Sequence, residues 1–182
     1  RRVPASERLF INNTQGRMQS STQKAQVREF FNASDGWKGK FYRAIQDPFG
    51  QMLVRRKEYV LRLIGKHVKS DLGAMFDAGC GPGEYLGELG GTGVQIFGMD
   101  ASDEMIRTSN EYLREKGWSN PPCLVRGDIE QIPFRSSAFG AVLCIGVLGY
   151  LQHDERALSE LSRLLRPGGY LVLNVRNLNA LT

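Results

Sequence analysis

The sequence lacks several features that would assign a chain to a protein class at once. No apolar run approaches the roughly 20 residues of a membrane-spanning helix, and the first 21 residues contain no apolar segment followed by a cleavage site, so no signal peptide is predicted. The three cysteines, Cys80, Cys123 and Cys144, are odd in number and form no CxxC pair, so neither a disulfide framework nor a metal site is predicted. A reducing cytoplasm is therefore the expected location.

Acidic residues are scarce in the first part of the chain, although the net charge is only +5. Residues 1–70 contain 15 Lys and Arg against 5 Asp and Glu, whereas residues 71–182 contain 9 against 14. A basic surface attracts acidic substrates, nucleic acids or membranes, and a solvated basic helix face is the alternative interpretation. No basic stripe with interleaved aromatic residues is present, so we expect no nucleic-acid partner.

The spacing of apolar residues divides the chain into three predicted parts. Residues 1–21 are polar and aperiodic, which predicts an N-terminal arm. Residues 22–70 contain helical patterns over about 21–32 and 50–69, which predict a helical lid. The remaining part, 71–182, is predicted to be the core of the fold.

Strand and helix patterns alternate through this core. The predicted strands lie within residues 73–79, 94–100, 123–128, 139–146 and 170–175, and the predicted helices span about 83–89, 102–117 and 154–169. This alternation predicts an α/β fold with a doubly wound, Rossmann-like, mostly parallel sheet and right-handed crossover helices.

A glycine-rich loop follows the first predicted strand and reads Asp77-Ala78-Gly79-Cys80-Gly81-Pro82-Gly83. At the carboxyl end of a parallel strand, such glycines let the backbone approach a ligand closely and turn into a helix. The dinucleotide fingerprint is GxGxxG, whereas the spacing here is GxGxG with an acid two residues before the first glycine. That carboxylate disfavours a phosphate and suits a ligand that carries a positive charge.

Five segments, the first of which contains this loop, resemble the class I S-adenosylmethionine-dependent methyltransferases in order and spacing. They are FDAGCGPGEY (76–85), GMDAS (98–102), GDIEQIPF (127–134), FGAVLCIGVLGYL (139–151) and LLRPGGYLVL (164–173). The resemblance covers about residues 73–176. It implies S-adenosylmethionine as the cofactor and S-adenosylhomocysteine as its product.

The resemblance implies a cofactor site with three acidic residues. Asp100 would hold the ribose hydroxyls, Asp128 and the backbone N–H of Ile129 would recognise the adenine edge, and Asp77 would face a positive charge. The other expected cofactor-binding residues are Ala78, Gly79, Cys80, Gly81, Gly83, Ala101, Met105, Cys144 and, from the lid, Tyr42. Core packing is the alternative for Met105 and Tyr42, and a helix cap is the alternative for Asp77. Cys80 and Cys144 are interpreted as small buried residues rather than nucleophiles, because no histidine is close in sequence.

The methyl acceptor is less well defined by the sequence. The lid resembles that of small-molecule methyltransferases, so we expect a small-molecule acceptor, with O- or N-methylation preferred to C-methylation. His153 and Tyr150 follow the fourth strand and are the candidates for a general base or an acceptor-pocket residue. The basic run 55–57 suits an acidic acceptor, and solvated surface positions are the alternative.

The sequence ends soon after the predicted fifth strand, whereas the family adds two more strands in the order 3-2-1-4-5-7-6. We therefore expect a fragment of a longer protein or a shortened variant. The N-terminal arm, a second copy of the chain in a homo-oligomer, or missing sequence would cover the edge of the fifth strand. Two alternatives stay open. One is a non-catalytic domain that binds S-adenosylmethionine or a partner protein. The other is a nicotinamide-dependent oxidoreductase, which Asp77 and the glycine spacing disfavour.

Overall fold

The structure is a computed structural model that describes residues 20–33, 48–68, 70–90, 92–118 and 121–175. Residues 1–19 of the predicted arm and Tyr42 of the predicted lid lie outside these ranges. The two helices before residue 70 fall within the predicted lid, and the division of the chain into arm, lid and core stays a prediction. None of the described helices is long and apolar enough to cross a lipid bilayer.

Within the described ranges, five strands and five α-helices form the fold. The strands are β1 (Met75–Ala78), β2 (Ile96–Asp100), β3 (Cys123–Arg126), β4 (Phe139–Cys144) and β5 (Leu165–Leu173). The helices are α1 (Ser20–Asn32), α2 (Pro48–His67), α3 (Glu84–Glu88), α4 (Asp103–Glu115) and α5 (Asp154–Leu164), with 3₁₀ turns at Ser70–Leu72 and Leu148–Tyr150.

The strands form one sheet in the order β3-β2-β1-β4-β5, and every neighbouring pair is parallel. The predicted doubly wound α/β fold is therefore confirmed. Strands β1 and β4 are buried along their whole length, because helices or loops cover both faces of the sheet at its centre. Two hydrophobic clusters make up the core, and Phe76 and Leu86 are fully buried in them. Burying a side chain of this size stabilises the fold by about 1.5–3 kcal/mol.

Helix α2 begins at Pro48, two residues earlier than the pattern predicted. Proline suits the first position of a helix because its fixed φ is helical and its missing N–H would have had no partner there. The buried side chains Leu53, Val60 and Ile64 recur at helical spacing and turn one face of α2 towards the core.

The boundary between α5 and β5 differs from the prediction of a helix over 154–169 and a strand over 170–175. Helix α5 ends at Leu164, and β5 begins at the next residue, where Leu165 pairs with Phe139. Pro167 lies in a register shift of this strand, where a missing N–H is tolerated. Pairing with β4 thus overrides the helical pattern of the local sequence.

Candidate functional site

The carboxyl ends of β1, β2 and β4 meet at one edge of the sheet, and the glycine loop after β1 lies there. The backbone N–H groups of Gly79 and Cys80 both donate to the carbonyl oxygen of Met99, at 2.7 and 2.9 Å, which fastens the loop to β2. Gly79 has a φ of 81°, and a Cβ atom at this position would lie 2.2 Å from Cγ2 of Val147. The loop therefore needs glycine here both for its backbone conformation and for its close approach to the segment after β4.

Asp77 is a buried acid whose carboxylate lacks a complete set of partners. Its side chain is 2% exposed, and its Oδ2 has no hydrogen-bond partner among the described residues. Burial, and secondarily the charge of Asp100, raise the pKa of Asp77 to about 7. Gly83 precedes α3 without any side-chain cap, so the alternative role of Asp77 as a helix cap is wrong. A cationic group of a ligand would satisfy this carboxylate.

Asp100, at the end of β2, is held in place by backbone donors. Its Oδ1 accepts from the N–H of Ser102 and its Oδ2 from the N–H of Gly81, both at 2.9 Å. Burial raises the pKa of Asp100, and these hydrogen bonds partly oppose the effect. Ser102 caps α4 as predicted, because its Oγ accepts from the N–H of Met105 at 3.1 Å. The two acids Asp77 and Asp100 thus stand on neighbouring strands beside one glycine loop.

Asp128 lies after β3 and pairs with helix α1. Lys24 of α1 places its Nζ 2.7 Å from Oδ2 of Asp128 and 2.9 Å from Oε2 of Glu130. Burial would raise the pKa of Asp128, but the hydrogen bond from Lys24, the N–H of Glu130 and the charge of Lys24 together lower it. Ile129, the next residue, is buried.

Helix α1 contacts the loops after three strands. Beyond the Lys24 pair, Oδ1 of Asn32 accepts from Oγ of Ser102 at 2.7 Å, in the loop after β2. Nε2 of Gln23 donates to the carbonyl oxygen of Tyr150 at 3.3 Å, in the 3₁₀ turn after β4. The ring of Phe31 meets the Tyr150 ring edge-on, with centroids 5.2 Å apart. Helix α1 therefore lies along the edge of the sheet at which the predicted site residues collect.

The two catalytic candidates differ in their surroundings. Tyr150 is half-buried against Phe31 at this edge of the sheet. His153 is exposed at the position before α5, and its side chain makes no capping hydrogen bond there. The geometry favours Tyr150 over His153 as a residue that lines an acceptor pocket.

The remaining predicted residues divide between the loop and the core. Burial raises the pKa of the Cys144 thiol to about 12, with a smaller contribution from Asp77, and raises that of Cys80 well above its ordinary value. Neither thiol forms a thiolate near neutral pH, which agrees with their interpretation as small buried residues. Met105 is buried beneath α4, Ala78 is buried at the end of β1, and Ala101 is exposed after β2.

Sequence reasoning missed the separate position of Arg56, because it interpreted the basic run 55–57 as a whole, either as a site for an acidic acceptor or as a solvated surface. Arg55 is exposed, whereas Arg56 is half-buried and its Nη1 lies 3.3 Å from the place a Cβ atom would occupy at Gly146, just after β4. The signal was present, because Arg56 falls between the buried residues Leu53 and Val60 at spacings of three and four. That spacing turns its side chain towards the core-facing side of α2.

The site favours a cationic nucleoside over a dinucleotide. Two carboxylates lie beside the glycine loop. Asp77 is buried, with an oxygen that has no partner in the described structure, and Asp100 is half-buried, so the pair would repel a pyrophosphate and attract a cation. S-adenosylmethionine carries an ammonium and a sulfonium, so the residues present fit this group.

Comparisons with known proteins agree with this chemistry. Residues 76–173 match the family model described as a methyltransferase domain. The sterol 24-C-methyltransferase ERG6B of Gibberella zeae is 28% identical over 152 residues, which cover 79% of this chain and 39% of that protein. The sterol 24-C-methyltransferase erg6 of Aspergillus fumigatus is 30% identical over 152 residues, with 79% and 40% covered. The chain thus spans about two fifths of the length of these relatives.

Solved structures share the fold. Magnesium protoporphyrin IX methyltransferase (ChlM) from Synechocystis PCC 6803, with bound S-adenosylhomocysteine, aligns with a TM-score of 0.64 at 24% identity, over 79% of this chain and 68% of that one. The [4+2]-cyclase SpnF aligns with a TM-score of 0.61 at 23% identity, over 74% and 50% of the two chains. The family match covers more than half of the chain, from Phe76 in β1 to the end of β5. The chain belongs to the methyltransferase-domain family of class I S-adenosylmethionine-dependent methyltransferases, and S-adenosylmethionine is its cofactor.

Proposed function

We propose that this chain is the cofactor-binding part of an enzyme that transfers a methyl group from S-adenosylmethionine to a carbon atom of an apolar, sterol-like small molecule. The observation that carries the cofactor half of this proposal is the buried Asp77 carboxylate beside Asp100 at the glycine loop. The relatives' names support the acceptor half, because they include 24-C- and 4-C-methylation of sterols. They favour carbon over the oxygen or nitrogen acceptor that the sequence predicted.

We assign one part of the cofactor to each of the three acids, on the basis of the contacts that each acid makes. Asp77, with its unsatisfied oxygen, takes the α-ammonium group. Asp100, whose position is fixed by two backbone donors, takes the ribose hydroxyls. Asp128 accepts from the adenine amino group and the N–H of Ile129 donates to a ring nitrogen of adenine, while the ion pair with Lys24 keeps Asp128 ionised. When bound, S-adenosylmethionine supplies a methyl group on a positively charged sulfur, already activated for displacement.

The proposed acceptor side is the apolar segment after β4. Val147, Leu148 and Tyr150 follow the strand, and Phe31 of α1 contacts Tyr150. Methyl transfer by in-line displacement depends on orientation and on exclusion of water, and apolar side chains provide both for an apolar acceptor. Tyr150 contributes a hydroxyl within this apolar segment, and we assign Tyr150 to the positioning of the acceptor.

A cofactor-binding protein that does not transfer methyl groups is the second candidate. The specific observation in its favour is the likeness to a structure named as a [4+2]-cyclase, since one fold supports different reactions. The cytoplasmic location, the acidic acceptor and the homo-oligomer or additional segment at the β5 edge also stay predictions.

The test has a binding arm and a transfer arm. A ligand at about 100 times its dissociation constant stabilises a protein by about 2.7 kcal/mol, which is roughly 5–10 °C for a chain of this size. We expect this shift with S-adenosylhomocysteine and none with NAD. Radiolabelled methyl transfer would then be compared between a sterol panel and matched hydroxyl and amine acceptors, with the full-length protein. A shift with NAD alone contradicts the cofactor assignment, and S-adenosylhomocysteine binding without transfer to any acceptor favours the second candidate.

A further inference from the structure

We propose that Arg56 of α2 binds the α-carboxylate at the amino-acid end of the cofactor, opposite Asp77. This inference rests on the cofactor binding proposed above and concerns a residue outside the glycine loop. It makes α2, which falls within the predicted lid, part of the cofactor site, whereas the sequence suggested an acidic acceptor or a solvated surface for the basic run 55–57.

The position of the guanidinium is the first support. Nη1, Nη2 and Cζ of Arg56 lie 3.3, 3.6 and 3.8 Å from the point where a Cβ atom would sit on Gly146, which has a φ of 77°. Gly146 is two residues beyond the end of β4, and β4 is the neighbour of β1 in the sheet. Arg56 therefore reaches over the sheet edge at which the carboxyl ends of these two strands lie.

The hydrogen bonding of the guanidinium is the second support. Its Nε is buried and has no partner among the described residues, and no ion pair joins Arg56 to a carboxylate within that part of the chain. Among the described residues, the Tyr85 hydroxyl and the Glu84 carboxyl are the groups whose pKa the guanidinium lowers, and neither pairs with its Nε. An arginine has five N–H donors, so most of its donor capacity is available to a ligand.

The neighbouring acid forms no ion pair with this cation among the described residues. Glu84 opens α3 next to Tyr85, and its burial raises the pKa of its carboxyl to about 7, although the charges of Lys57 and Arg56 oppose the rise. Near neutral pH Glu84 is therefore only partly ionised. Asp77 has the same pKa in the ligand-free protein, and a bound ammonium would lower it and favour the carboxylate form. A guanidinium in such a half-buried place is stabilised by a fully ionised carboxylate, and the cofactor carries one.

Both charges lie near Tyr85 in the first turn of α3. The guanidinium of Arg56 lowers the pKa of the Tyr85 hydroxyl and the carboxylate of Asp77 raises it, so the two charges lie close enough to act on one group. An amino acid is a zwitterion, and it requires an anion for its ammonium and a cation for its carboxylate. Asp77 and Arg56 provide that pair.

The experiment compares ligands that differ at the amino-acid end. Isothermal titration calorimetry would measure S-adenosylhomocysteine, its decarboxylated analogue, and 5′-methylthioadenosine, which lacks the amino-acid end altogether. Arg56→Met should weaken binding of S-adenosylhomocysteine about 10- to 100-fold and leave that of 5′-methylthioadenosine unchanged. Wild type should bind the decarboxylated analogue at least about 10-fold more weakly than S-adenosylhomocysteine. The exposed neighbour provides the matched control, because Arg55→Met should change no affinity.

The outcomes separate the inference from the function on which it rests. An equal loss for S-adenosylhomocysteine and 5′-methylthioadenosine would assign Arg56 to the packing of α2, and an unchanged S-adenosylhomocysteine affinity would assign it to another ligand, such as an acidic acceptor. Either result overturns the inference while the cofactor assignment stands. Failure of the wild type to bind S-adenosylhomocysteine overturns both. Arg56→Lys keeps the charge but loses the planar fork, so it should show an intermediate loss even if Arg56→Met does not fold.

Discussion

The N–H of Gly81 donates to the Asp100 carboxylate at 2.9 Å, although 19 residues separate them in the chain. This bond joins the loop after β1 to the end of β2, so the acid that we assign to the ribose also fixes the shape of the glycine loop.

Replacing Asp100 by alanine should therefore affect both stability and binding. The substitution leaves the N–H groups of Gly81 and Ser102 without their acceptor, which should cost about 1–3 kcal/mol in the free energy of unfolding. Urea denaturation would measure this loss, and calorimetry with S-adenosylhomocysteine should show weaker binding. A variant with wild-type stability would mean that the loop does not depend on this carboxylate.

The raised pKa of Asp77 predicts a pH dependence of stability in the ligand-free protein. The folded protein binds this proton up to a pH of about 7, whereas the unfolded chain releases it near 3.8, so stability should fall as the pH rises from about 4 to 7. Glu84, with a folded pKa of about 7 against 4.5, acts in the same direction. Asp77→Asn should flatten this slope without abolishing it. Urea midpoints measured between pH 4 and pH 8 would test this, and identical slopes for the two proteins would contradict the burial of an unsatisfied carboxyl group.

Gly79 and Gly81 form a matched pair for testing the close approach of the loop to the segment after β4. Alanine at Gly79 meets Cγ2 of Val147 at 2.2 Å, whereas alanine at Gly81 meets no atom within 4 Å, and both positions have a positive φ. Gly81→Ala should cost about 1 kcal/mol for its backbone alone, and Gly79→Ala should cost about 1–3 kcal/mol more. Adding Val147→Ala should recover part of the Gly79→Ala loss and none of the Gly81→Ala loss. Equal costs at the two glycines would contradict the proposed contact.

The ion pair of Lys24 with Asp128 and Glu130 should hold α1 in place without adding much to global stability. Its side chains are partly exposed, so the pair contributes up to about 1 kcal/mol. Lys24→Met should therefore speed hydrogen exchange in α1 by up to about 5-fold while exchange in α4 stays unchanged, and Arg28→Met on the same helix should have no effect. High salt should reproduce the effect of Lys24→Met in the wild type. Unaltered exchange in α1 would mean that the other contacts of the helix suffice.

The three thiols should differ in reactivity. Cys123 is exposed, whereas Cys80 and Cys144 are buried with raised pKa values. Titration with a disulfide reagent should give one rapidly reacting thiol in the native protein and three after unfolding. Cys123→Ser should remove the rapid phase. Two or more rapid thiols in the native protein would contradict the buried positions of the other two.

The alternation of strands and helices and the glycine loop could be predicted from the sequence, because both depend on local patterns. The strand order was expected from the family resemblance alone. Largely apolar runs such as β1 and β4 are typical of strands buried on both faces. The GxGxG spacing of the glycines after Asp77 is typical of few kinds of binding loop. The predicted start of β5 was wrong because Leu165 pairs with Phe139, a contact that the helical pattern of residues 154–169 does not encode.

The same limit applies to the site. The three acids follow predicted strands, so their common edge could be inferred from sequence. The pairing of Lys24 with Asp128 joins residues 104 positions apart, and no local pattern indicates it. Arg56 was not distinguished from the other residues of the basic run 55–57, because its charge was weighed more heavily than its spacing from Leu53 and Val60.

The contacts of α1 with the loops after β2, β3 and β4 have a thermodynamic consequence. One helix touches the regions assigned to ribose, to adenine and to the acceptor, so an acceptor that displaces α1 at Tyr150 would also disturb its contacts with Ser102 and Asp128. An acceptor that changes the affinity for the nucleoside by this route must have its own affinity changed by the same factor. Through α1, the mutual dependence of the two affinities becomes a property of this helix as well as of the pocket.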